Sequence, residues 1–228
     1  MTVESDIAAL ASASRERVVI GFAGPPGAGK TTLARRVLAH AAETLGPDAV
    51  GYLPMDGFHL SDDVLDALGR RDRKGAPDTF DAAGFVALLH RVVAAESDVY
   101  APDFDHTMGE PIAARLVIPA SARLVVAEGN YLGLDEPEWN MVRPLLTRLY
   151  YVDAETGVRR RRLLTRHIAA GKTPEQAARW IDTVDEPNAA RVASTREVAD
   201  AVIDASTETG TPPAGLSLIH ISEPTRLG

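Results

Sequence analysis

A short glycine-rich stretch, Gly24 to Thr31, constrains this chain more than any other part of its sequence. It reads Gly-Pro-Pro-Gly-Ala-Gly-Lys-Thr and fits G-x-x-x-x-G-K-[ST], the pattern of a phosphate-binding loop. The apolar run Val18–Ala23 precedes it and predicts a buried strand, while apolar residues recur at helical spacing after it. An ordinary glycine-rich turn is the alternative. The strand before the loop and the helix after it favour a nucleotide site.

The residue types in this loop suit phosphate chemistry. Glycines let backbone N–H groups close around phosphate oxygens, and the N-terminus of the following helix adds partial positive charge. Lys30 is expected to reach the β- and γ-phosphates, and the Thr31 hydroxyl is expected to ligate Mg²⁺. The predicted nucleotide-binding residues are Gly24, Pro25, Pro26, Gly27, Ala28, Gly29, Lys30, Thr31 and Thr32.

Length and composition narrow the class of protein. The 228 residues suffice for one α/β domain, or for one domain with a small insertion. A net charge of −8 without a long basic tract argues against nucleic acid as a partner. The absence of cysteine excludes disulfides, cysteine–zinc sites and thiol nucleophiles. Because long apolar runs and the features of a signal peptide are also missing, we expect no membrane segment and a cytoplasmic location.

The end of the sequence is interpreted separately. Residues 216–228 resemble a translated transposon sequencing adapter, so we expect them to be an artefact that replaces native C-terminal residues. We expect residues 208–228 as a whole to be disordered.

Strand-like apolar runs alternate with amphipathic helices, a pattern that predicts a parallel sheet with helices on both faces. The expected fold is α/β, a three-layer sandwich with a mainly parallel five-stranded sheet. We place the five strands near residues 18–23, 49–55, 123–127, 148–153 and 201–203. A capping box of Thr173 and Gln176 predicts the start of one helix, and a last helix is expected after residues 185–188. The expected organisation is a leading helix or loose arm at 1–16 and one domain at 17–207, with a small hairpin-like insertion about 98–120 and a lid helix region about 156–172.

Two carboxylates end predicted strands, where ligands bind in open α/β sheets. Asp56 follows the second strand and is the candidate general base, and Gly57 beside it is interpreted as allowing close approach of a substrate. A helix cap or an indirect Mg²⁺ ligand is the alternative for Asp56. Glu128 ends the third strand and is predicted to act in catalysis and to hold the metal, with a structural carboxylate as the alternative.

Cationic residues supply further candidates. Arg162 and Arg166 lie four residues apart on one helix face, and we predict that they neutralise transition-state charge from the lid, against the alternative of surface arginines. Arg73 and Lys74 are candidates for binding an anionic or polyhydroxy substrate, although a mobile charged loop explains them equally well. His59 is expected to contact substrate or support Asp56, with a packing or surface position equally open.

The predicted insertion carries Asp103, Asp105 and His106. Their spacing is unspecific for a metal, so contact with substrate is favoured for Asp103 and His106. Asn130 and Tyr131, which directly follow Glu128, complete the predicted substrate-binding set.

With these landmarks in place, the chain resembles the P-loop kinases that include uridine kinase, phosphoribulokinase and bacterial pantothenate kinase, and most of all a bacterial subgroup called nucleoside/nucleotide kinase-like or fructose-transport-associated kinases. The resemblance is carried by the stretches Gly24 to Thr32, Met55 to His59, Arg73 to Asp81, Pro102 to His106, Val126 to Tyr131 and Arg162 to Gly171. It implies a P-loop NTPase fold, use of ATP and Mg²⁺, and a small-molecule phosphoryl acceptor. It matches Asp56 to the family's catalytic aspartate. A homodimer is allowed by the resemblance, since dimers are common among such enzymes.

The acceptor is left open among a nucleoside, a sugar and a pantothenate-like alcohol. Uridine kinases usually carry Asp-Ser-Phe-Tyr where this chain has Asp56-Gly-Phe-His59. A regulatory or binding P-loop module that is not a kinase is the alternative function. Guanine-binding modules normally show an Asn-Lys-x-Asp segment, and no such segment occurs in this sequence.

Overall fold

The computed structural model describes residues 2–206, so the predictions for residues 208–228 lie outside the described residues. Within this part, the strands are β1 Val18–Ala23, β2 Val50–Pro54, β3 Val99–Asp105, β4 Glu110–Ile118, β5 Leu124–Glu128, β6 Arg148–Asp153 and β7 Ala201–Asp204. The α-helices are α1 Val3–Ala13, α2 Lys30–Leu45, α3 Asp62–Ala67, α4 Ala82–Ala94, α5 Thr156–Ala169, α6 Pro174–Trp180 and α7 Glu186–Ala193.

Five of the strands form one parallel sheet in the order β2-β5-β1-β6-β7, and this confirms the predicted α/β class. Alternate residues of its strands point to two separate cores. Val19 and Val125 join helix α4 in one core, while Ile20 and Val126 join helices α1 and α2 in the other. Because both faces are covered, the central strands are apolar at nearly every position, as parallel strands require. The result is the three-layer sandwich.

The register of the sheet brings the predicted site residues to one edge. Glu128 is level with Phe22 of β1 on one side and with Pro54 of β2 on the other. The phosphate-binding loop follows β1 directly, and Asp56 follows β2 within a short turn. Because parallel strands end at the same edge, the loop and both carboxylates meet there.

The sequence left a helix and a loose arm as alternatives for the N-terminal segment, and the structure has a packed helix there. Thr2 caps α1 through its side chain, and Ile7, Ala8 and Ala11 are buried against the core that contains α2. Glu4 pairs with Arg36 of α2.

Strands β3 and β4 form an antiparallel hairpin at the position predicted for the insertion. The hairpin packs on the turn that carries Asp56. A Cβ atom on Gly57 would lie 2.3 Å from the carbonyl oxygen of Pro102 in β3. Gly57 therefore admits the hairpin backbone. Its role in the approach of a substrate stays a prediction.

Helices α5 to α7 follow β6 and cover the loop edge. Helix α6 begins with the predicted capping box of Thr173 and Gln176. The last helix was expected to begin after 185–188, but a π-helical turn, Ile181–Asp185, leads directly into α7. Pro187 is tolerated because the first turn of a helix needs no hydrogen bond from its N–H. No helix in residues 2–206 has both the length and the apolar character to span a membrane.

Candidate active site

The phosphate-binding loop adopts a conformation that needs glycine. Gly24, Gly27 and Gly29 have φ values of 145°, 77° and 103°, in the region that side chains disfavour. Space is also restricted, because a Cβ on Gly24 would lie 2.1 Å from the carbonyl oxygen of Val152 in β6. Any substitution at Gly24 would therefore displace either the loop or the neighbouring strand.

Every carbonyl group from Gly24 to Ala28 accepts a hydrogen bond from a cationic side chain. Lys30 Nζ donates to the oxygens of Gly24 at 2.9 Å and Pro25 at 3.0 Å. Arg159 Nη1 donates to Pro26 at 3.3 Å, and Arg162 Nη1 donates to Gly27 at 3.3 Å and Ala28 at 3.2 Å. We call this set of contacts the carbonyl clamp. It holds the loop carbonyls, while the first N–H groups of α2 have no partner within the helix and suit an anion.

Lys30 lies inside the loop with only 8% of its surface exposed. Besides the two carbonyl oxygens, it donates to Asn130 Oδ1 at 2.7 Å. Burial lowers the pKa of Lys30 to about 8, although the negative charges of Glu128 and Asp56 act in the opposite direction. Asn130, predicted as a substrate contact, thus lies against the nucleotide loop.

Glu128 anchors the centre of the site. Its Oε1 accepts hydrogen bonds from Thr31 Oγ1 at 2.9 Å and from the Tyr52 hydroxyl at 2.8 Å. Burial raises the pKa of the Glu128 carboxyl, and the charge of Asp56 raises it further. Tyr52 was not predicted as a site residue. Its one signal in the sequence is a polar-tipped aromatic residue within an otherwise aliphatic strand.

The side chains of Thr31 and Glu128 supply two oxygen ligands, which suits a magnesium ion that takes its other ligands from water and phosphate. Among residues 2–206, no cluster of three or more His, Asp or Glu side chains could hold a metal. Mg²⁺ commonly takes only one or two protein oxygens and completes its shell with water and phosphate. A hydroxyl and a carboxylate joined by a hydrogen bond beside a phosphate-binding loop meet that requirement.

Asp56 lies between the nucleotide loop and the hairpin. It is partly exposed in the turn Met55–Phe58, and its side chain does not cap that turn. Within residues 2–206 its carboxylate forms no hydrogen bond or ion pair, yet its charge acts on Lys30, Glu128 and His59. A partly exposed carboxylate between the nucleotide loop and the hairpin is suitably placed to accept a proton.

A second group of side chains lies on the hairpin side of Asp56. The His59 ring stacks on Phe80 with the ring centroids 3.9 Å apart, and it lies 5.0 Å from Phe104 of β3. Burial lowers the pKa of His59 to about 4, so the imidazole is neutral at pH 7. The His59 Nδ1 atom is buried without a hydrogen-bond partner in the described chain.

Arg73 and Lys74, the two basic candidates, lie in the loop between α3 and α4, which we call the charged loop, and they differ in position. Lys74 is largely buried and donates to Asp62 Oδ1 at 2.6 Å and to the carbonyl oxygen of Gly109 at 2.6 Å. Its Nζ also lies 5.4 Å from the centre of the Phe104 ring. Arg73 is instead exposed and pairs with Asp78 at 2.7 Å. The structure therefore brings Lys74 to the hairpin side of the site but leaves Arg73 on the surface.

The remaining substrate candidates are also spread out. Tyr131 is fully buried, and its hydroxyl donates to the carbonyl oxygen of Gly75 at 2.5 Å, so it supports the charged loop. Asp103 accepts a hydrogen bond from the N–H of Phe104 at 2.9 Å. His106 is exposed near the hairpin end, with its ring 5.3 Å from that of Phe104.

The two lid arginines, Arg162 and Arg166, differ in their contacts. Arg162 binds loop carbonyls and also donates to Ala205 at 2.9 Å. Arg166 is exposed and has no ion pair or hydrogen bond with the described residues, while its positive charge lowers the pKa of both Lys30 and His59. Arg166 is thus the arginine whose position suits the predicted contact with a transferred phosphoryl group.

Arg159 was not among the residues predicted from the sequence to belong to the site. Only 5% of its surface is exposed, and it joins Pro26 of the loop to Glu186 of α7 at 3.3 Å. The available signal was helical spacing, because Arg159, Leu163 and His167 lie four residues apart and share the buried face of α5. His167 on that face bonds the buried Asp185 at 2.7 Å.

The chain is similar to known proteins over most of its length. The sequence pattern of the phosphoribulokinase/uridine kinase family matches residues 19–212. A candidate uridine kinase of Schizosaccharomyces pombe is 35% identical over 181 residues, 76% of this chain and 77% of the relative. The uncharacterised protein YggC of Escherichia coli is 34% identical over 194 residues, 85% and 80% of the two chains. A solved candidate fructose transport system kinase from Silicibacter sp. TM1040 superposes with a TM-score of 0.77 at 29% identity, covering 89% of this chain and 99% of that one.

Proposed function

The chain belongs to the phosphoribulokinase/uridine kinase family, and on that premise we propose that it is an ATP-dependent kinase acting on a hydroxyl of a small metabolite. One observation carries the proposal. Asp56 lies between a phosphate-binding loop on one side and a partly buried cluster of polar and aromatic side chains on the other. A site with two such halves suits transfer between two substrates.

The nucleotide half would hold the triphosphate through the residues of the loop. The N–H groups at the start of α2 and the Lys30 ammonium face the position that phosphate oxygens would take. Thr31 and Glu128 are the residues that would hold Mg²⁺, and the ion when bound would neutralise charge on the phosphates. Arg166, which has no partner in the described chain, would add positive charge near the transferred group.

In the chemical step the protein has to accept one proton. Asp56 accepts the proton of the acceptor hydroxyl as that oxygen bonds to the γ-phosphorus of ATP, and the bond to the β,γ-bridging oxygen breaks to release ADP. Asp56 suits this role because no other residue in the described chain occupies its carboxylate. Glu128 is unsuited, because its Oε1 already accepts two hydrogen bonds.

The names of the relatives point to different acceptors, since one refers to uridine and another to fructose transport. The experiment that tests the proposal is therefore a screen of ADP release at fixed Mg-ATP over nucleosides, sugars, pantothenate and related alcohols. A kinase releases ADP mainly when its acceptor is present. ADP release that does not depend on any acceptor, or none with any compound, would instead favour a regulatory P-loop module.

A further inference from the structure

The acceptor side of the site contains two buried polar atoms that form no hydrogen bond within the described chain. We define the acceptor cluster as His59, Lys74, Phe80, Phe104 and Glu110. His59 Nδ1 and Glu110 Oε2 are buried and form no hydrogen bond with the described chain. Each unpaired buried polar atom costs on the order of 1–3 kcal/mol, so such atoms indicate that a ligand group completes them.

The chemistry of these two atoms favours hydroxyl groups. The Glu110 oxygen can only accept a hydrogen bond, because its carboxylate partner oxygen Oε1 already accepts from the Asp62 N–H at 2.9 Å. The neutral His59 imidazole can either donate or accept at Nδ1. A hydroxyl both donates and accepts, so it satisfies either atom. A ligand carboxylate or phosphate cannot donate to Glu110 when it is ionised.

The cations of the neighbouring loop are already paired with aspartates. Lys74 and Arg71 both bind Asp62, with shortest distances of 2.6 Å each. Arg70 and Arg73 both bind Asp78. An anionic acceptor would therefore have to displace an existing ion pair to reach any of these charges.

The acidic groups around the cluster outnumber the cations that face it. Asp56 and Lys74 both act on His59, Asp62 binds Lys74 directly, and Glu110 Oε2 lies 4.0 Å from Lys74 Nζ. Two carboxylates thus offset the Lys74 ammonium, and Asp56 adds a third negative charge near His59. Arg166 also acts on His59, but its charge acts equally on Lys30 of the nucleotide half, where a triphosphate would compete for it.

From these contacts we propose that the phosphoryl acceptor is an uncharged polyhydroxy compound, a sugar or a nucleoside, and is neither a carboxylic acid nor a phosphate ester. The inference rests on the proposed kinase function and deepens it. The ring of Phe104, which is only partly buried, suits the apolar face of a hydroxylated ring, and the two atoms that lack hydrogen bonds bind its hydroxyls.

Matched pairs of compounds test the proposal on the full chain. In each pair the uncharged member keeps every hydroxyl of the anion, so the pair differs mainly in charge: panthenol and pantothenate, methyl glycerate and glycerate, methyl glucuronate and glucuronate, uridine and orotidine. ADP release is measured for every member at fixed Mg-ATP. We expect the uncharged member of the active pair to have a kcat/KM at least ~10-fold higher, the effect of like charges about 10 Å apart in a partly screened site. Activity of the glucuronate pair or of the uridine pair distinguishes a sugar from a nucleoside.

The outcomes separate this inference from the function on which it rests. An anionic member that is equal to or better than its uncharged partner overturns the inference and leaves the kinase function standing. The absence of acceptor-dependent ADP release across all pairs overturns both.

A charge variant provides a second measurement. Glu110→Gln keeps an oxygen that can accept from the Asp62 N–H but removes the negative charge. We expect it to reduce the preference for the uncharged member by ~3-fold or more, while Glu43→Gln on the exposed face of α2 leaves the preference unchanged. An unchanged preference in Glu110→Gln contradicts the proposed role of the cluster.

Discussion

The two halves of the site are stabilised in different ways. In the nucleotide half, all five carbonyl groups from Gly24 to Ala28 are held by Lys30, Arg159 and Arg162. In the acceptor half, His59 Nδ1 and Glu110 Oε2 are buried and form no hydrogen bond with the described chain. The loop carbonyls of the nucleotide half are therefore satisfied within the protein, whereas the acceptor half has buried side-chain atoms that still lack a hydrogen bond.

This difference explains why the family is easier to recognise than the acceptor. A phosphate-binding loop presents backbone groups to its ligand, so its glycines and lysine form a short pattern that is visible in the sequence. The acceptor half depends on side chains from the turn after β2, the charged loop and the hairpin, so it can change without affecting the loop. The predictions below test that separation, from the largest expected effect to the smallest.

The largest effect is expected from Asp56→Asn. The amide cannot accept the acceptor proton, so turnover should fall by at least ~10²-fold, the usual contribution of a general base. The Kd for Mg-ATP should stay within ~3-fold, because the carbonyl clamp does not involve Asp56. Steady-state kinetics and calorimetry measure the two quantities. Asp63→Asn, an exposed aspartate on α3, is the matched control. Turnover unchanged by Asp56→Asn would remove this residue from the chemical step.

The ionisation of Lys30 predicts a pH effect confined to the nucleotide half. Burial lowers its pKa to about 8, so the free enzyme loses the ammonium charge as pH rises through that value. The kcat/KM for ATP should then fall by up to ~10-fold for each pH unit above about 8. Bound phosphates stabilise the charged form, so the alkaline fall in kcat should begin at higher pH. A kcat/KM that stays constant to pH 10 would contradict the burial of a titrating Lys30.

Arg159→Gln should weaken nucleotide binding, although Arg159 lies on α5 and not in the nucleotide loop. It removes the cation that holds the Pro26 carbonyl, and leaving that buried oxygen unpaired costs roughly 1–3 kcal/mol of unfolding free energy. Glu186 keeps Arg160 as an ion-pair partner at 3.6 Å. We expect the Kd for Mg-ADP to rise ~10-fold. Arg161→Gln, an exposed neighbour on the same helix, should change neither quantity. Denaturant unfolding and calorimetry provide the measurements, and equal effects of the two substitutions would count against the clamp.

The smallest effect is expected from Tyr52→Phe, which removes one of the two hydrogen bonds to Glu128 Oε1. That hydrogen bond lowers the pKa of Glu128, so its loss raises a pKa that burial has already raised. Glu128 then takes up its proton at higher pH. The acid limb of the kcat/KM profile should move to higher pH, with about 1 kcal/mol of stability lost. Tyr100→Phe on exposed β3 is the control, and a shift toward lower pH would contradict this role of Tyr52.

Much of the fold followed from the sequence because its signals are local. The run before Gly24 and the helical spacing after it predicted β1 and α2, and the alternation of elements predicted the parallel sheet. The capping box at Thr173 was also predicted, since its partners lie three residues apart. The direct start of α7 after a π-helical turn was not predicted, because no residue type marks such a turn.

The site was predicted less completely. Sequence placed Lys30, Asp56 and Glu128 at one edge of the sheet, because motif and strand ends are both readable along the chain. It also gave Arg73 and Lys74 the same role, although one is exposed and the other buried. Burial depends on what packs against a residue, and no property of the two neighbours distinguishes them in advance.

The sequence by itself therefore determined the nucleotide loop, the order of strands and helices, and the candidate base. The tertiary structure alone decided which cations hold the loop and which polar atoms lack partners. Arg159 meets Pro26 across 133 residues, and Tyr52 meets Glu128 across 76. Contacts between residues so far apart arise only when the layers pack. Burial in those layers then shifts the pKa of the ionisable side chains and so decides which side chains carry a charge.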